Sequence, residues 1–114
     1  MKTPAEQGEA AAPVGQVPTI LEAIVHKKCV SSIYNRSELT LAPLILYTRH
    51  DELHLDAVAL ERDGKLPREM KIGTYRLSGL GSVQLVDRVF VPLDGFDPLA
   101  ERYCGVTLMA VDRV

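Results

Sequence analysis

Leu39–Leu60, LTLAPLILYTRHDELHLDAVAL, is the stretch on which the fold turns. Two apolar runs, Leu39–Tyr47 and Leu53–Leu60, flank the polar tip Thr48–Glu52. Both runs are rich in aliphatic residues, and Leu53–Ala59 alternates with period two. That pattern predicts a β-hairpin with a loop of about five residues. Pro43 interrupts the first run. Having no N–H for a ladder, it must fall at an edge, a bulge or a bend.

Outward from the hairpin, Cys29–Tyr34 reads as a preceding strand, with Asn35–Glu38 as the turn between them. On the far side, Asp63-Gly64 closes the third strand by supplying positive φ. Met70–Leu77 and Ser82–Val91 read as further strands, and Gly79 with Gly81 marks a bend or bulge between them. Val106–Val111 alternates again as a final strand. Two short helices are expected. Thr19-Ile20-Leu21-Glu22 fits a capping box behind Pro18 and opens an amphipathic helix that ends at Lys27-Lys28. Asp97-Pro98 is an N-cap followed by Pro at the first helical position, opening a helix over Pro98–Cys104 that Gly105 closes. The expectation is a mainly β chain with two short helices (α+β), its short strands bent into a small, partly open barrel.

The chain has 114 residues, 46% apolar and 25% charged, with a formal net charge of −2. This supports one domain and gives no general pull toward nucleic acid or anionic membrane. Residues 1–17 hold too few apolar side chains to offset their ordering entropy and are expected to form a disordered tail, leaving residues 18–114 as the domain. No apolar run approaches the ~20 residues needed to span a bilayer, and the N-terminus lacks the pattern of a signal peptide. Cys29 and Cys104 are the only cysteines and read as buried or half-buried thiols in a reducing cytoplasm.

The chain from Leu21 to Leu80 resembles the WYL domain, an Sm/SH3-like β-barrel found mostly in bacterial transcriptional regulators. Leu21-Glu22-Ala23-Ile24 looks like the helix that introduces that barrel, and Val30–Tyr34 like its first strand. Pro43-Leu44 sits where the family has a Pro in its second strand. Leu53-His54-Leu55, followed by Asp56-Ala57, stands at the name-giving Trp-Tyr-Leu triplet. Gly73-Thr74-Tyr75-Arg76-Leu77-Ser78-Gly79-Leu80 aligns with an Arg-x-Phe-x-Leu-Asp-Arg-Ile-like element, glycines standing in place of its two arginines. Phe96-Asp97-Pro98 looks like the segment that follows the barrel. The resemblance implies a free-standing ligand-sensing module in the cytoplasm, its ligand a nucleotide or single-stranded nucleic acid. No helix-turn-helix accompanies it in the sequence.

Two constellations stand out. His50, Glu52, His54 and Asp56 alternate and project from one face of a strand. Spaced 6.6–7 Å apart, as alternate strand residues roughly are, they suit a solvated polar face opposite Leu53, Leu55, Ala57 and Ala59 better than a shared metal shell. No metal or cofactor is expected. The second constellation is basic. Arg62, Lys65, Arg68, Lys71 and Arg76 surround Tyr75, with Arg36 in the first turn and Tyr34 nearby; cations beside an aromatic ring suit a phosphorylated ligand or a single strand. Glu61, Asp63 and Glu69 dilute that field and leave open a solvated mixed-charge loop. There is no P-loop, nucleophile elbow or GxGxxG, so an enzyme is not expected. The alternative to ligand sensing is a protein–protein module or homo-oligomer, recruiting a strand at an open edge such as Leu39–Tyr47 or Val106–Val111.

Overall fold

The computed structural model describes residues 16–112; the expected tail lies outside them except for Gln16 and Val17. The order is α1 (Val17–His26), β1 (Lys28–Tyr34), β2 (Ser37–Arg49), β3 (Glu52–Arg62), β4 (Ile72–Arg76), β5 (Gly81–Val89) and β6 (Thr107–Ala110). Two 3-10 turns, Leu77–Gly79 and Glu101–Tyr103, lie before β5 and β6.

All strand pairings are antiparallel, in the order β4-β3-β2-β1-β5, with β6 also on β2. β2 is paired on both edges. One edge faces β3 along its length; the other meets β1 over Ser37–Leu41 and then β6 over Ile45–Tyr47. Leu39–Tyr47 is therefore the centre of the sheet and not the open edge its sequence allowed. Pro43 sits where this exchange of neighbours occurs, and the β2–β3 register shifts between Pro43 and Ile45. A missing N–H does least harm at such a bulge. No closing pair between β4 and β5 joins the ends of the sheet among the described residues, so the barrel is not closed.

The hairpin loop is shorter than its polar tip suggests. Arg49 pairs with Glu52, leaving only His50 and Asp51 in the turn, at φ 54° and 63°. Asn35-Arg36 makes the same turn between β1 and β2, at φ 50° and 66°. Left-handed two-residue turns match the twist of the strands they join. Asn, Asp and His are the non-glycine residues that best tolerate that region.

The helix also starts earlier than its capping motif predicts. Val17 opens it, Pro18 occupies the first turn, and no side chain caps it, so Thr19 lies inside the helix. Lys27 at φ 55° ends it, its amide donating to the carbonyls of Ala23 and Ile24. Ile20, Ala23 and Ile24 are buried and press on β1, β2 and β5. The second expected helix is replaced by tight turns. Asp97 takes the Leu99 amide on its own Oδ1, and the amides of Ala100, Tyr103 and Cys104 each reach back three residues, never four. This drapes Phe96 and Tyr103 onto the sheet, where both are buried with Leu44, Ile45, Leu46 and Leu55. Fully burying each such side chain contributes roughly 1.5–3 kcal/mol.

Candidate ligand-binding clefts

The most constrained polar group is one that its sequence places on a solvated face. Asp56, on β3, has no exposure. Its Oδ1 accepts from the Tyr47 hydroxyl of β2 at 2.7 Å and the Thr74 hydroxyl of β4 at 2.8 Å. Its Oδ2 accepts from Arg102 Nη2 at 2.9 Å and the Tyr103 hydroxyl at 2.5 Å. Four donors from three other segments surround one carboxylate, which is what keeping a buried charge requires. Burial, reinforced by the bond to Asp56, pushes both the Tyr47 and the Tyr103 hydroxyl above the ordinary tyrosine range. Tyr103 packs edge-on to Tyr47 at 5.2 Å, and the Arg102 guanidinium lies 5.0 Å from the Tyr103 ring centre. The expectation of a polar face fails because the same face continues into Val58 and Leu60, which are buried and half-buried. Apolar residues on both faces from Leu55 onward were the available signal.

Two polar clefts adjoin this network, and a third cleft lies apart from it. The first, about 600 Å³, is lined by residues of both two-residue turns, Asn35 and His50, which lie at opposite ends of β2. Tyr34, Asn35, Arg49, His50, Glu52, His54, Thr74, Arg76, Ser78 and Gly79 line it. Arg76 pairs with Glu52 at 3.1 Å, both well exposed, and such a pair contributes little. His54 stacks on Tyr47 at 5.9 Å. The second cleft, about 700 Å³, is lined by Tyr47, Thr48, Arg49, His50, Arg102, Cys104 and Val106. Arg49 and His50 thus form a ridge between the two. The third, about 440 Å³, holds Arg62, Lys65 and Tyr75 together with Glu61, Asp63, Leu39, Ala59, Leu66 and Pro67.

The basic set read from the sequence is therefore divided. Arg62, Lys65 and Tyr75 share the third cleft, where two carboxylates accompany them. Arg76 belongs to the first. Arg36 is exposed at the β1–β2 turn, and Arg68 and Lys71 are exposed in the loop before β4; none of these three lines any of the three clefts. Tyr34 and Tyr75 do meet, edge to face at 5.2 Å, and so stand between the first and third clefts. Burial pushes the Tyr75 hydroxyl up, with Arg62 opposing. Arg49 and Arg102, which the sequence did not single out, prove to be the cations of the second cleft.

Compared with protein-family models, curated proteins and solved structures, the chain matches none. Its own geometry must carry the functional reading. Among the described residues, no three His, Cys, Asp or Glu side chains stand where they could hold a metal, and no helix is long and apolar enough to cross a membrane. Cys29 is buried and its thiol is pushed up by desolvation, whereas Cys104 is exposed, against the expectation that both thiols are covered.

Proposed function

We propose that the chain is a non-enzymatic ligand-binding module, a divergent WYL-like member of the Sm/SH3-like barrels, with a nucleotide or short single-stranded nucleic acid as its ligand. The observation that carries this is the first cleft. Tyr34, His50, His54, Arg49 and Arg76 converge there around a space of ligand size. An aromatic surface with cations beside it suits a base and its phosphate.

The strand order supports the barrel reading. A meander of four strands returns a fifth beside the first through one 3-10 turn, which is how small SH3-like barrels are wound. Two of the positions aligned with the family's functional residues, His54 in the triplet's place and Gly79, line the same cleft. Gly79 lies against the Tyr34 ring, so a Cβ there would sit 3.3 Å from that ring, and Gly73 lies equally close to Tyr75. Where the family has arginines this chain has room for two tyrosine rings, and Arg49 and Arg76 supply the charge instead.

The test is fluorescence anisotropy of a labelled oligothymidylate at low and moderate salt. Binding should weaken as salt rises, and Arg76→Gln should cost roughly ten-fold, the worth of one charge-assisted hydrogen bond. Arg68→Gln, outside the clefts, should leave it unchanged. No retention of mononucleotide or oligonucleotide at low salt would sink the reading.

One observation favours a protein–protein module as the second reading. β5 is a nine-residue strand with its outer edge unpaired among the described residues, and Leu85 and Val89 are exposed on it. An edge of that kind can accept a strand from a partner or from another copy. A mass that rises with concentration, and falls back in Leu85→Lys, would favour it.

A further inference from the structure

The second cleft differs from the other two in its charge. Arg49, His50 and Arg102 line it and no carboxylate does, in a chain whose net charge is −2. The first cleft contains Glu52, already paired to Arg76, and the third contains Glu61 and Asp63.

Arg102 is also held in place. A single nitrogen, Nη2, donates to buried Asp56 at 2.9 Å and stands 3.5 Å from the Thr74 hydroxyl. The guanidinium packs over the Tyr103 ring, and the side chain remains 55% exposed. The Tyr47 hydroxyl also bears on the guanidinium, while Nε and Nη1 make no well-aligned hydrogen bond to another described residue. The planar fork is thus fixed along one edge with donors left to spare. A guanidinium immobilised in this way gives up little conformational freedom when it binds an oxyanion. Arg49, across the same cleft, has no hydrogen-bond or ion-pair partner among the described residues. Thr48 lines the cleft beside it.

We propose that this cleft is a phosphoryl-group site, with Arg49 and Arg102 as its two cationic contacts and Asp56 as the residue that positions Arg102. A tetrahedral dianion has enough acceptor oxygens to take donors from both forks at once. The site is distinct from the first cleft, with which it shares only the Arg49–His50 ridge, and does not depend on that cleft's ligand. The phosphoryl group is either free phosphate or the terminal phosphomonoester of a larger molecule.

The test is titration of the isotope-labelled protein, followed by amide chemical shifts, with inorganic phosphate, with adenosine 5′-monophosphate and with adenosine, each against chloride at matched ionic strength. Saturable shifts clustered at Thr48, Arg49, Cys104 and Val106 are expected with both phosphorylated probes and not with adenosine. Stronger binding of the nucleotide than of phosphate marks a phosphomonoester as the source; equal binding marks free phosphate. Arg49→Gln should weaken the shifts caused by inorganic phosphate roughly ten-fold with an unchanged melting temperature, while Arg68→Gln, outside the clefts, should leave them intact. Asp56→Asn, which keeps the shape of the side chain, should weaken phosphate binding without removing either cation. Shifts that match the chloride control, or that survive Arg49→Gln at full affinity, overturn the proposal. Loss of the inorganic-phosphate shifts at these four amides with Arg76→Gln overturns it too, since phosphate then belongs to the first cleft; a loss confined to the nucleotide concerns the first cleft alone.

Discussion

The loop from Arg62 to Lys71 and the trio Arg49, Arg76 and Arg102 make an instructive pair. In sequence the loop is the basic region, with four of the chain's cations in ten residues. In space it is a mixed surface whose cleft also holds Glu61 and Asp63 and whose outer cations, Arg68 and Lys71, line none of the three clefts. The three arginines are far apart along the chain and have no common motif. The fold gathers them around one end of the sheet because a hairpin tip, the end of β4 and a 3-10 turn all arrive there. Charge density along a chain is a weak guide to charge density on a surface.

The sharpest way to break this comparison is through stability. Arg102→Ala leaves Asp56 buried without its counter-charge and should cost about 3 kcal/mol, the low end for a broken buried pair because Arg102 is itself half exposed. Urea denaturation measures this. Arg68→Ala in the loop should stay within about 0.5 kcal/mol, and equal losses would show that the two regions do not differ. Tyr47→Phe keeps the ring but withdraws one donor from Asp56, and should cost about 1–2 kcal/mol.

A gentler probe is alkaline pH. The folded protein holds the Tyr47 and Tyr103 protons more firmly than the unfolded chain does. The stability this represents is complete below the unfolded value of about 10 and is lost as pH rises through the folded values. Phenolate absorbance from these rings should therefore appear together with loss of near-ultraviolet dichroism. Ionisation of all four tyrosines near pH 10 in a protein that is still folded would contradict the network.

The strands were legible because period-two alternation is a local property, and Pro43 disclosed its bulge because a missing donor has few tolerable places. The tight turns were hidden because His50-Asp51 and Asn35-Arg36 take left-handed φ without glycine, the usual marker. The second helix was over-read. Asp97 and Pro98 are good opening residues, but the segment behind them is too short to propagate and satisfies itself with three-residue turns. The Asp56 network could be seen only in part. Burial of the strand on both faces was readable at Val58 and Leu60, whereas its partners Tyr47, Thr74, Arg102 and Tyr103 come from three other segments that no spacing rule connects.

The placement of β2 also bears on how the chain survives outside its native state. Leu39–Tyr47 is the most β-prone, charge-free run in the sequence, the kind of segment that seeds intermolecular cross-β stacking. Flanked by β3 on one side and by β1 and β6 on the other, it offers no free ladder until the sheet itself opens. Pro43 lies near its middle and would interrupt any fibril ladder built on it. The residue that lets β2 exchange one neighbour for another in the native fold is thus also the gatekeeper that protects the unfolded chain from aggregation.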